Sequence, residues 1–203
     1  MKKQALIVLG AFCLLTNLYA TTFQIKDGKA SFKLPYTLGT HEGESNKLTG
    51  QIDITNKTGE LSLPIESLKT GNEEMDCHMY EALGINYKNS DFPDDHVCDD
   101  DKLPSSGPNS IKYPFIKYQI SNLEVLSQSD QKIELKLQGT WDIHGQQKSS
   151  SHTLNILKEK NHWKSKTDFK ISLKDFDIIV KKFLVIAVED IATVQANIKW
   201  SQQ

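Results

Sequence analysis

The chain has 203 residues, with 26 Asp and Glu set against 24 Lys and no Arg, for a net charge near −2. That balance offers no basic face to a phosphate backbone and argues against nucleic acid as a partner. Without Arg, there is also no bidentate guanidinium fork to grip a carboxylate or phosphate.

The first elements in chain order read as an address. Lys2 and Lys3 precede an apolar run from Ala5 to Leu15, and Leu18-Tyr19-Ala20 supplies a small-residue cleavage site. The run is short for a bilayer span. Cys13 lies inside it behind Gly10-Ala11-Phe12, a poor lipobox. The expectation is a cleaved export signal over 1–20, a periplasmic or secreted location, and one domain over 21–203 with a net charge of −4.

From there the pattern is period-two alternation, the signature of half-buried strands. Ile52 and Ile54 alternate with Asp53 and Thr55. Leu61, Leu63 and Ile65 follow across Lys57-Thr58-Gly59, which predicts a hairpin. Asn72-Glu73-Glu74-Met75 then opens a short helix, its acidic residues favourable at the N-terminus, with Met75, Met79 and Leu83 on one face. Residues 84–110 dissolve into Pro, Ser, Gly and Asp and read as a long loop.

Strands resume with Ile133, Leu135, Leu137, Trp141 and Ile143 facing one way, and a turn at His144-Gly145 leads into 153–158. Phe169, Ile171 and Leu173 repeat the pattern after Trp163. The last strand presents Ala192, Val194, Ala196, Ile198 and Trp200. Long two-faced strands on short turns favour an antiparallel β-barrel, which removes sticky edges, over a sandwich.

Little in the chain supports catalysis. Asp76 and His78 do not share a helix face, and no Gly-x-Ser-x-Gly elbow occurs. The chain is read as a non-enzyme without a cofactor. The run Asp94-Asp95-His96-Val97-Cys98-Asp99-Asp100-Asp101 is rich in cation ligands but lacks the EF-hand order, so it reads as a solvated acidic loop. Cys77 and Cys98 remain after signal cleavage. An even count in an exported chain favours a disulfide; a zinc site with His78 and His96 lacks the usual paired spacing. His41, His144, His152 and His162 sit in turn or polar-strand contexts and are expected at the surface. The aromatics Phe115, Tyr118, Trp141, Trp163, Phe169 and Trp200 read as ordinary barrel core, unless together they line a cavity.

Ser67-Leu68-Lys69-Thr70, then Asp76-Cys77-His78-Met79, then Tyr113-Pro114 resembles the fingerprint of the YceI-like family. That pattern runs Ser-Val-x-Thr into Arg-Asp-x-His-Leu, with a Tyr-Pro pair opening a later strand. Met75 stands where the family has Arg, and Met79 where it has Leu. Residues 137–148, 169–178 and 188–190 extend the likeness over most of the chain.

The resemblance implies an all-β, elongated, lipocalin-like barrel of about eight strands, with one short helix after the fourth strand. Residues 84–110 have no counterpart in the family pattern and read as an insertion, a long loop tied by the expected Cys77–Cys98 disulfide. The resemblance also implies a polyisoprenoid-binding interior for an isoprenoid, quinone-like or other long-chain amphiphilic lipid. On that reading Ile116, Tyr118, Leu135, Leu137, Trp141, Phe169, Ile171 and Val194 face the ligand, and Asp76 and His78 hold the cap or meet a headgroup. Transient membrane contact and a homodimer are compatible with it. The rival expectation is a protein-interaction module that displays loop 84–110 and carries no lipid.

Overall fold

The computed structural model describes residues 22–85, 106–107, 110–179 and 188–203. Nine strands form one antiparallel sheet: β1 (Thr22–Tyr36), β2 (Gly39–Ser45), β3 (Thr49–Asp53), β4 (Thr58–Pro64), β5 (Phe115–Gln128), β6 (Lys132–Ile143), β7 (Gln146–Glu159), β8 (His162–Ser172) and β9 (Ile191–Gln202). The order β1-β3-β4-β5-β6-β7-β8-β9 closes on itself because β9 also pairs with β1, from Phe23↔Gln202 to Lys33↔Thr193. β2 and β3 lie on the other side of β1 in one shared register, broken only at residues 46–48. They therefore act as one interrupted stave, and the wall is an eight-stave closed barrel.

The expected alternation is what builds this wall. Ile133, Leu135, Leu137 and Ile143 point inward from β6, and Ala192, Ala196, Ile198 and Trp200 do so from β9. Glu134, Lys136, Gln138 and Asp142 on β6, and Thr193, Gln195, Asn197 and Lys199 on β9, fall on the opposite parity. A polar outside around an apolar inside is the reverse of a membrane-spanning barrel. No described helix is long and apolar enough to cross a membrane. β6 and β7 are joined by the two-residue turn His144-Gly145, both residues at positive φ (53° and 72°), which matches the twist of the flanking strands.

One half of the barrel is solid. Phe23 meets Trp163 and Trp200 edge to face at 5.7 and 6.5 Å, among Ile52, Ile120, Leu123, Ile133, Leu135 and Ile156. The buried Trp200 Nε1–H is satisfied by Ser165 Oγ at 2.9 Å.

The helix α1 (Glu73–Gly84) follows β4, as the resemblance implies. Asn72 caps it by accepting from the Met75 N–H at 2.9 Å, and Glu73, Glu74 and Asp76 occupy its first turn. At its other end the Gly84 carbonyl accepts from the Lys112 and Tyr113 N–H groups at 2.7 and 3.0 Å. A Cβ on Gly84 would sit 2.5 Å from Ile65 Cδ1, so glycine allows the helix to dock this closely.

Two histidine expectations need correction. His144 is buried, at 7 % exposure. Its Nε2 lies 2.7 Å from the Ile85 carbonyl oxygen and its Nδ1 3.1 Å from that of Phe176, with Tyr113 edge-on at 5.1 Å. The turn that carries it is covered by the end of α1 and by the short turn at Lys174–Phe176, contacts that are distant in sequence. His152 is the other: it points into the barrel. Most of the loop expected over 84–110, with its expected disulfide partner Cys98 and the acidic run with His96, lies outside the described residues. Cys77 is buried on α1, while Cys98 is not among the described residues.

Candidate ligand-binding site

The half of the barrel beneath α1 is hollow, with a cavity of about 600 Å³. Its floor is formed by Tyr118, Leu137, Leu154, Ile198 and Trp200, where the solid half begins. Small residues at facing register positions help to leave the space open: Ala30 on β1 pairs with Ala196 on β9, and both line the cavity. Met75, Met79 and Leu83, spaced to share one helix face, form its roof.

Of the residues expected to face a ligand, Ile116, Tyr118, Leu137, Trp141, Phe169, Ile171 and Val194 line this cavity. Leu135 does not. It is wholly buried in the solid half, one inward step below Leu137 on β6.

Asp76 and His78 divide as helix geometry requires. Asp76 is buried and turns toward the segment before the helix, where its Oδ1 accepts from the Thr70 N–H (2.6 Å) and hydroxyl (2.7 Å) while Lys69 Nζ lies 3.4 Å from Oδ2. Burial opposes its ionisation, but the two Thr70 donors and the Lys69 ammonium outweigh it and hold the carboxyl below the usual range. Tyr80 adds a second tie, donating to the Leu68 carbonyl at 2.7 Å while accepting from Lys69 Nζ at 2.7 Å. Asp76 thus fastens the roof to the segment that leads into it, and Lys69 of that segment pairs through its backbone with Glu44 on β2.

His78 instead lines the cavity, with Nδ1 2.8 Å from the buried carboxylate of Glu81 and Nε2 3.9 Å from Glu74. Tyr36 and His41, stacked at 4.3 Å, complete this polar end.

Several lining residues escaped the sequence reading, Glu81 and His152 among them. Glu81 could have been found as the i+3 partner of His78 on α1. His152 shares inward parity on β7 with Leu154 and Ile156. Burial pushes the His152 imidazole below its usual range. Its neighbour Tyr118 is also buried, which pushes its phenol upward despite a hydrogen bond to the Ser150 carbonyl at 3.3 Å. That ring fits because position 139 is glycine: a Cβ there would stand 2.8 Å from Tyr118 Cζ. Among the described residues no cluster of three or more His, Cys, Asp or Glu is placed to hold a metal ion.

The model of the YceI-like domain matches residues 22–200, the whole barrel from β1 to β9. The chain belongs to the YceI-like family. Solved structures agree on the fold. A polyisoprenoid binding domain from Saccharophagus degradans, implicated in plant cell wall breakdown, superposes with a TM-score of 0.61 at 11 % identity, covering 89 % of this chain and 98 % of that one. BcnA of Burkholderia cenocepacia gives 0.58 at 11 % identity, covering 85 % and 95 %. No curated protein sequence matches this YceI-like protein. At such identities the likeness speaks for the barrel, and the contents of the cavity must be argued from the residues in its wall.

Proposed function

We propose that this YceI-like protein is an exported, non-enzymatic carrier that sequesters the hydrocarbon chain of an isoprenoid or similar amphiphilic lipid in the hollow half of its barrel. The observation that carries this reading is the cavity itself: about 600 Å³ of mostly apolar space inside a barrel whose other half is packed solid. A native core does not leave such a void without a use for it. At roughly 30 Å³ for each water-sized group, the space takes about 20 methyl or methylene units. Burying each contributes about 0.8 kcal/mol, a gross figure near 16 kcal/mol before the costs of association and ordering. Tail burial therefore supplies affinity without a charged clamp. The neighbour described as a polyisoprenoid binding domain supports the ligand class. The apolar leader ahead of the barrel supports export to the periplasm.

The test is a chain-length series of isoprenoid alcohols titrated against delipidated protein, with intrinsic tryptophan fluorescence as the reporter, since Trp141 and Trp200 both line the cavity. Affinity should rise with length up to about 20 carbons and then level off, as further units project from the mouth. Affinity independent of length, or quenching with no saturable site, would remove the carrier reading.

A further inference from the structure

Besides the polar end at His78, the cavity wall carries a second polar feature set among aromatic rings. Tyr118, Trp141, His152 and Phe169, from four consecutive strands, meet on it. Trp141 lies 4.7 Å from Tyr118 and 5.1 Å from Phe169, ring centre to ring centre, and His152 lies 5.4 and 5.6 Å from the same two rings.

The hydrogen bonds fix the tautomer of His152. An indole N–H can only donate, and Trp141 Nε1–H points at His152 Nε2 at 3.2 Å, with Ser150 Oγ 2.9 Å from the same nitrogen. Nε2 is therefore the acceptor, and the proton of the neutral ring sits on Nδ1. No described residue is seen accepting that Nδ1–H, and the atom is not sealed off by protein; on the wall of a mostly apolar cavity, an occupant can supply its acceptor.

The charges of the wall point the same way. No Lys lines the cavity among the described residues, and the chain has no Arg. The lining carboxylates are Glu74 and Glu81, and the imidazole between them, His78, is already engaged with both. A phosphate or carboxylate head would pass two carboxylates and meet no cation to offset its desolvation.

The geometry points to a specificity site: the ligand is an amphiphile with an uncharged head whose carbonyl-type oxygen accepts from His152 Nδ1–H among the rings of Tyr118, Trp141 and Phe169, and phosphorylated or carboxylated chains are rejected. This rests on the carrier reading above and adds the chemistry of the head.

Three probes separate the two claims: farnesylacetone (an isoprenoid ketone), phytane (no head) and geranylgeranyl diphosphate (an anionic head). Each is titrated into delipidated wild-type protein and into His152→Phe, which keeps the ring area and removes the donor. Wild type should bind the ketone about tenfold more tightly than phytane, and the diphosphate at least about tenfold more weakly than the ketone. H152F should lose the preference for the ketone over phytane; because it also removes the acceptor of the Trp141 N–H, the readout is the ratio of the two affinities and not either one alone. Equal binding of ketone and phytane by wild type, an unchanged ratio in H152F, or tight binding of the diphosphate would each overturn the head assignment. Failure of all three probes, phytane included, would bring down the carrier reading itself. If H152F does not fold, the wild-type ring still reports: the His152 Nδ1 resonance should shift with the ketone and not with phytane, and equal shifts overturn the assignment.

Discussion

Filling the cavity should stabilise the empty protein, whereas the same kind of change in the solid half should destabilise it. Ala196 on β9 lines the cavity opposite Ala30, so Ala196→Leu adds three carbon groups to space that holds no protein atoms. At about 0.8 kcal/mol per buried carbon group the gain is about 2.4 kcal/mol. Ordering the leucine side chain takes back roughly 0.5–1 kcal/mol, leaving about 1.5 kcal/mol. For a domain of this size that corresponds to a rise in Tm of about 3–6 °C. The control is Ile156→Phe, at a fully buried position below the cavity floor. There, overpacking should cost about 1–3 kcal/mol. Urea unfolding of delipidated protein, followed by far-UV circular dichroism, reads both from the midpoint at constant slope. If A196L lowered the midpoint as I156F does, the hollow half would not exist in solution and the carrier argument would lose its foundation. The same A196L should also weaken binding of the longest isoprenoid alcohols.

Two further predictions test the frame around the cavity. Asp76→Ala removes the acceptor of two Thr70 donors and should cost about 2–3 kcal/mol, the range for charged hydrogen bonds, seen as a lower urea midpoint. Because the Asp76 carboxyl is held below its unfolded value, its contribution is fully present above the ordinary carboxylate range and is lost as pH falls through the folded value. The acid limb of wild-type stability should therefore be steeper than that of Asp76→Asn; identical limbs would contradict the assigned contacts. Gly145→Val places a β-branched side chain at φ 72° with its Cβ 2.5 Å from Tyr113 Cε1. Thermal melts should show a loss of about 2–4 kcal/mol, and an unchanged Tm would refute the tight fit of this turn under the helix.

Much of the barrel was legible because alternation reports which way a side chain points. The run from Ile133 to Ile143, the His144-Gly145 turn, the Asn72-capped helix and the last strand all follow from local pattern. Alternation cannot report what a side chain points at. Leu135 and Leu137 occupy equivalent places in the pattern, yet one is packed solid and the other borders open space, because the boundary depends on Trp200, Phe23 and other distant residues. His144 and His152 were misjudged for the same reason. A histidine in a turn is ordinarily wet, and only the end of α1 with the turn at Lys174–Phe176, brought in from far along the chain, buries this one. His152 lies at an inward position on a strand whose upper half, Gln146 to Ser151, is so polar that its parity is hard to see. The Asp76–His78 motif was clearer. Two residues apart on a helix, the two side chains take different tasks, one fastening the roof and the other facing the cavity.

The central claim is that the hollow half of the barrel holds a lipid chain, and native mass spectrometry of protein purified from its native source without detergent tests it most directly. The expected result is a one-to-one adduct of an uncharged amphiphile, released into organic solvent and reduced in A196L. Protein that carries no adduct, and takes none up when offered a lipid extract, would contradict the account.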